Sequence, residues 1–171
     1  MIDLDDLLFF LDEALDAMVG IVEELGDDLA NTRPDIDAVN SPYVILTHCL
    51  GVMEHWGGQV IAGRRSARDR DAEFAVDGPV AALVARAGRA REQLALDLTD
   101  FAADEPPRRP LTDDQDARLP LGATQGGALV HVYSELAIHR GHMEICRDIV
   151  VSGRVPSASD RATAQPDSRY R

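Results

Sequence analysis

His131, Glu135, His139 and His142 recur at intervals of four, four and three residues, the spacing that puts side chains on one face of an α-helix. At 100° per residue they fall at about 0°, 40°, 80° and 20° on the helical wheel. Ala128, Val132, Ile138, Ile145, Cys146 and Ile149 share that arc, between about −40° and 100°, while Tyr133, Arg140, Glu144, Arg147 and Asp148 lie on the opposite side. The pattern predicts an ionisable group facing an apolar interior. Such a group is costly to bury unless it is paired, protonated or bound to a metal.

The other two histidines, His48 and His55, stand seven residues apart and are expected on one face of a second helix, with Ser41, Ile45, Val52 and Gln59. An ion shared between the two helices has limited reach. Neighbours at i and i+4 are about 6 Å apart along the axis, so His131 and His139, at about 12 Å, cannot both bind it. The pairs that can are His131 with Glu135, Glu135 with His139, and His139 with His142, each completed by His48. Two imidazoles and one carboxylate leave a coordination position open, the pattern of a reactive metal site. Zinc suits that ligand set, and so do nickel and iron(II).

The elements that must position these residues are helical. Apolar residues at helical spacing, Leu7, Leu8, Leu11, Leu15, Met18, Ile21, Val22 and Leu25, predict a first helix over about residues 4–29. Ser41-Pro42 predicts a capped start for a second helix reaching about residue 63. An arginine-rich polar link (Arg64, Arg65, Arg68, Arg70) leads to Asp77-Gly78-Pro79, read as the capped start of a third helix extending to about residue 98. Pro106, Pro107, Pro110 and Pro120 exclude a helix across residues 104–122. Thr124 is placed to cap a fourth helix that runs to about residue 151. The expected fold class is all-α, a four-helix bundle over residues 1–151 followed by a polar tail at 152–171.

Composition narrows the function. The chain has 171 residues, with 30 acidic side chains and 17 basic ones, all arginine, for a net charge of −13. A chain of this size buries roughly 70% of its unfolded surface, so a metal is not needed for folding. Nucleic acid and anionic membrane surfaces call for basic stripes that this sequence lacks. Asp3, Asp5 and Asp6 oppose a signal peptide, and no apolar run approaches the ~18 residues of a membrane span, so a cytoplasmic location is expected. Cys49 and Cys146 are then read as buried free thiols.

The run His48-Cys49-Leu50-Gly51-Val52-Met53-Glu54-His55-Trp56, followed by Ala62-Gly63-Arg64, together with His131-x-x-x-Glu135-x-x-x-His139-Arg140-Gly141-His142, resembles the DinB-like superfamily. It is most similar to the mycothiol-dependent branch that includes maleylpyruvate isomerase. The likeness covers residues 4–151. It implies a bundle of the DinB type, a divalent metal (usually zinc or nickel) and a low-molecular-weight thiol, mycothiol, as co-substrate. Carried across, the ligands are His48, Glu135 and His139. The likeness does not extend to the further C-terminal domain of the full-length isomerase, so that enzyme's substrate is not carried over.

The reading that follows is a metal-dependent thiol S-transferase, or thiol-assisted isomerase, acting on small electrophiles in detoxification. A metal lowers the pKa of a thiol and so favours the nucleophilic thiolate. His131 and His142, outside the ligand set, are the candidates to orient Glu135 or His139 or to move a proton. Arg140 is expected at the surface or in a homodimer contact. Two alternatives stand beside this reading: a metal-dependent hydrolase, and a non-catalytic stress or partner-binding bundle.

Overall fold

The computed structural model describes residues 3–37, 39–109 and 123–153. Helix α1 spans Leu4–Ala30, α2 spans Pro42–Val52 and continues as a π-helical stretch over Met53–Ile61, α3 is a single turn at Arg70–Glu73, α4 spans Val80–Asp97, and α5 spans Gln125–Ser152. The architecture is an all-α bundle of the DinB type, as expected, with α1, α2 and its π extension, α4 and α5 as its four members. No helix among the described residues is long and apolar enough to cross a membrane. The bundle's fourth helix ends at Ser152, close to the predicted boundary, and the predicted tail from residue 154 onwards lies outside the described residues.

The local rules read from the sequence operate at two starts. Ser41 Oγ accepts from the Val44 N–H at 3.3 Å with Pro42 in the first turn, and Thr124 Oγ1 accepts from the Gly127 N–H at 3.0 Å. The third start is built otherwise. No side-chain cap comes from the Asp77-Gly78-Pro79 segment; instead Asp27 of α1 reaches across and accepts from the Val80 N–H at 2.7 Å. Asn31 holds the same corner, donating to the Gly78 carbonyl at 2.9 Å and accepting from its N–H at 3.1 Å.

α2 departs from the amphipathic expectation, because every residue from Pro42 to Val52 is buried. A helix apolar all round belongs in the middle of a fold, and α2 packs against α1, α3, α4, α5 and its own π extension. The π stretch ends with an i→i+5 bond from the Ala62 N–H to the Gly57 carbonyl at 3.0 Å, and the Arg64 N–H then reaches back to the Gly58 carbonyl at 2.8 Å. Between them Gly63 turns the chain at φ 74°, a conformation that costs glycine little. The Arg64 side chain grips Asp97 at the end of α4 through two bonds of 2.8 and 2.9 Å, so the π end of the central helix is tied to its neighbour.

Replacing Asp27 by Ala removes the carboxylate that caps α4. The expected cost is about 1 kcal/mol, or ~2–4 °C in Tm for a domain of this size. Asp77→Ala, at the position where the sequence alone predicts a cap, should leave Tm unchanged; thermal denaturation of the two variants checks the assignment.

Candidate functional site

The centre of the site is the Glu135 carboxylate. Its Oε2 lies 3.6 Å from His48 Nε2 and 3.6 Å from His139 Nε2, and among the described residues the ligand atoms of His48, Glu135 and His139 lie within 4.8 Å of one another. A separation of 3.6 Å is too long for a hydrogen bond. It is close to the ~3.4 Å between two donors that sit ~2.05 Å from a common tetrahedral ion. Of the three pairs that spacing left open on α5, the structure brings Glu135 with His139 to His48.

The site sits at the margin of the core. Buried residues of α5 (Ala128, Leu129, Val132, Leu136, Met143, Cys146 and Val150) span about 60° to 160° from His131 on the wheel, a stripe rotated from the predicted arc. His139 falls within that stripe and Glu135 beside it, leaving their side chains 24% and 26% exposed. Ile138 and Ile145, expected inside, are largely exposed. His48, from the central helix, is 7% exposed and forms the floor. One side of the site is thus enclosed by α2 and the other is open.

The remaining histidines take different places. His142 stacks on His139 with ring centroids 6.2 Å apart, and burial, with the charge of His139, lowers its pKa. His131 packs against the buried Trp56 ring at 4.3 Å; after His139 and His48, its charge is a further cause of the lowered pKa of Glu135. His55 packs edge-on against Trp56 at 5.8 Å and is not one of the three clustered residues. Between His48 and His55 the helix widens into the π stretch that begins at Met53. Arg140 lies at the surface, paired with Glu144 one turn along α5 at 3.1 Å and with Glu13 of α1 at 3.6 Å.

Two residues that periodicity did not reveal stand behind the floor. Glu73, 6% exposed, lies 2.9 Å from His48 Nδ1 through its Oε2. Arg68 donates to Glu73 through Nε at 2.6 Å and Nη2 at 3.0 Å. The link carrying them reads only as polar and arginine-rich, because α3 is one turn long. It is fastened by Asp69, which accepts from the Ala72 N–H at 3.1 Å, and by Arg33, which donates to the Phe74 carbonyl at 2.7 Å. Phe74 covers the His48 ring, 5.2 Å away between centroids.

A family model described as mycothiol S-transferase matches residues 6–151. The chain belongs to the mycothiol S-transferase family. That family lies within the DinB-like superfamily. No curated protein and no solved structure matches the chain. In this mycothiol S-transferase family member neither cysteine is suited to be the reacting thiol. Burial, followed by the charges of Glu135 and Glu73, pushes the Cys49 thiol far up, and burial raises Cys146. The nucleophilic sulfur of a transferase built on this chain has to arrive with a substrate.

The electrostatics of the cluster set its pH dependence. Burial alone lowers the pKa of His48, but its interactions with Glu135 and Glu73 carry it above the ordinary 6.5. Burial raises the pKa of Glu73, and its bonds to His48 and Arg68 outweigh that and lower it. Interactions with His139 and His48 hold Glu135 well below the carboxylate range against its desolvation. The two acids therefore contribute stability above their ordinary 4.5 that is lost as pH falls through their lowered folded values. His48 contributes stability below 6.5 that is lost as pH rises through its raised value. Scanning calorimetry of the metal-free protein should show a Tm maximum between these limits with an alkaline decline of a few degrees. His48→Gln should flatten that decline.

Proposed function

We propose that His48, Glu135 and His139 hold one divalent cation, and that the chain transfers mycothiol to small electrophiles at its open side. The observation that carries the reading is the position of Glu135 Oε2, equidistant from two imidazole nitrogens at a separation suited to shared coordination and too long for hydrogen bonding. Family membership supports mycothiol as the thiol. Zinc is the first choice for a site of two imidazoles and one carboxylate, with nickel and iron(II) as alternatives.

A divalent ion held there supplies Lewis acidity that shifts a thiol towards its thiolate. The protein's own residues do the rest. His48, fixed on the buried central helix, and the Glu135–His139 pair, one turn apart on α5, set the geometry from two rigid elements. Enclosure by α2 on one side restricts approach to the open side. His142, stacked on His139, is the group we assign to receive the thiol's proton, and His131, held by Trp56, to keep Glu135 ionised and aligned. The sulfur's electron pair forms a bond to an electrophilic carbon, and the bond to a leaving group breaks with that group keeping its pair. With an activated alkene, the proton returns to carbon instead. The reaction is proposed to take place in the cytoplasm and to serve detoxification.

Metal analysis of protein purified without an affinity tag should give about one ion per chain, and His48→Ala and His139→Ala should each lower it to near zero. Chelation should leave helical circular dichroism intact, because the hydrophobic cluster shared by the four helices is large enough to fold without an ion. In cobalt-substituted protein, mycothiol should add a sulfur-to-metal charge-transfer band and release a proton at pH 7, where a free thiol of pKa ~8.5 is mostly protonated. Full metal content in both variants would refute the ligand set. Ester or amide turnover without any thiol, and a cobalt spectrum indifferent to thiols, would make the chain a hydrolase.

A further inference from the structure

We infer that Glu73, clamped by Arg68, is a positioning residue that holds His48 in the one tautomer able to present Nε2 to the site. The inference rests on the metal reading of the site and extends it to two residues outside the three clustered ones.

The argument begins with proton counting. Arg68 offers Glu73 two N–H donors, at 2.6 and 3.0 Å, one to each carboxylate oxygen. A carboxylate engaged by a guanidinium in this forked way is ionised and can only accept. The 2.9 Å contact between Glu73 Oε2 and His48 Nδ1 therefore requires the proton to be on Nδ1. Arg68 Nη2 also lies 3.4 Å from His48 Nδ1 and could donate to that nitrogen only in the other tautomer, which would leave two acceptors, Nδ1 and Glu73 Oε2, facing each other at 2.9 Å; the shorter contact decides for the proton on Nδ1. With Nδ1 protonated, a neutral His48 has its lone pair on Nε2, the nitrogen that faces Glu135 at 3.6 Å.

The backbone is shaped around this contact. A Cβ at Gly51 would overlap Glu73 Oε1 and crowd Arg68 Nε, so the absence of a side chain one turn after His48 lets the carboxylate reach the ring. Phe74 closes the other side at 5.2 Å from the imidazole. The clamp also settles the charge. A divalent ion with Glu135 leaves +1 at the site; Glu73 alone would cancel it, and Arg68 restores it. The site keeps a positive charge for an incoming anion while the ring stays oriented.

The test uses metal affinity and ring protonation as readouts, neither of which depends on turnover. Zinc affinity is measured by competition with a chromophoric chelator on the full chain. Glu73→Ala should bind zinc ~10–100-fold more weakly than wild type while keeping helical circular dichroism. The double substitution Arg68→Met with Glu73→Gln, which keeps an acceptor for Nδ1–H and removes both charges, should recover most of that loss. Glu73→Ala binding as tightly as wild type, or the double variant binding as weakly as Glu73→Ala, would overturn the inference. Nitrogen-15 NMR of histidine-labelled, metal-free wild type at pH 9 reads the tautomer directly, with no need for any variant to fold. Nδ1–H on His48 supports the inference, and Nε2–H overturns it. Failure of wild type itself to bind zinc defeats the metal reading, and the NMR result still reports on Glu73 separately.

Discussion

The convergence of a buried imidazole on a carboxylate from another helix is the contact on which this structure turns. Charged and polar groups are expensive at the edge of an apolar core unless partners compensate them, and here each compensates the next. Glu135 lies between His48 and His139, His48 is backed by Glu73, and Glu73 is held by Arg68. The helices must respect that chain of contacts. α2 is buried all round, which makes it a rigid floor, and α5 lies along it with its histidines on the shoulder of its buried stripe. The result is a group of donors firmly held from behind and accessible from in front.

If the cluster holds an ion, as proposed, that asymmetry sets it apart from a structural metal centre. A structural site closes its ligand sphere with protein donors and stabilises the fold; a reactive one leaves a position open. The described ligand cluster has three members, and the core around it, from Leu46 and Leu50 to Leu136 and Met143, is packed without help from them. Cys49, next in sequence to His48, is a nearby thiol, but it is fully buried and its pKa is pushed up. Sulfur chemistry at such a site calls for an external thiol, in keeping with the family to which the chain belongs.

What the sequence made legible was local. The four long helices, the Ser41 and Thr124 caps and the Glu135–His139 spacing follow from rules that act within one or two turns. What it hid depends on residues far apart in the chain. The cap of α4 comes from Asp27, 53 residues earlier. Glu73 meets His48 across 25 residues, from a helix of a single turn. The π stretch after Val52 has no period that distinguishes it from an α-helix in sequence, and His55, which lies in it, packs on Trp56 and is not one of the clustered residues. The wheel of α5 was right in outline, but its buried stripe is centred nearer His139 than His131, because α5 packs against both α1 and α2.

The central claim is a shell of two imidazoles and one carboxylate with room for a thiol. X-ray absorption at the metal edge tests it most directly, recorded on zinc-loaded protein before and after saturation with mycothiol. Before addition the spectrum should fit nitrogen and oxygen scatterers alone at about 2.0–2.2 Å, and afterwards one sulfur at about 2.3 Å should join them. A sulfur scatterer present before any thiol is added, or a shell unchanged by saturating mycothiol while transfer proceeds, would contradict the account.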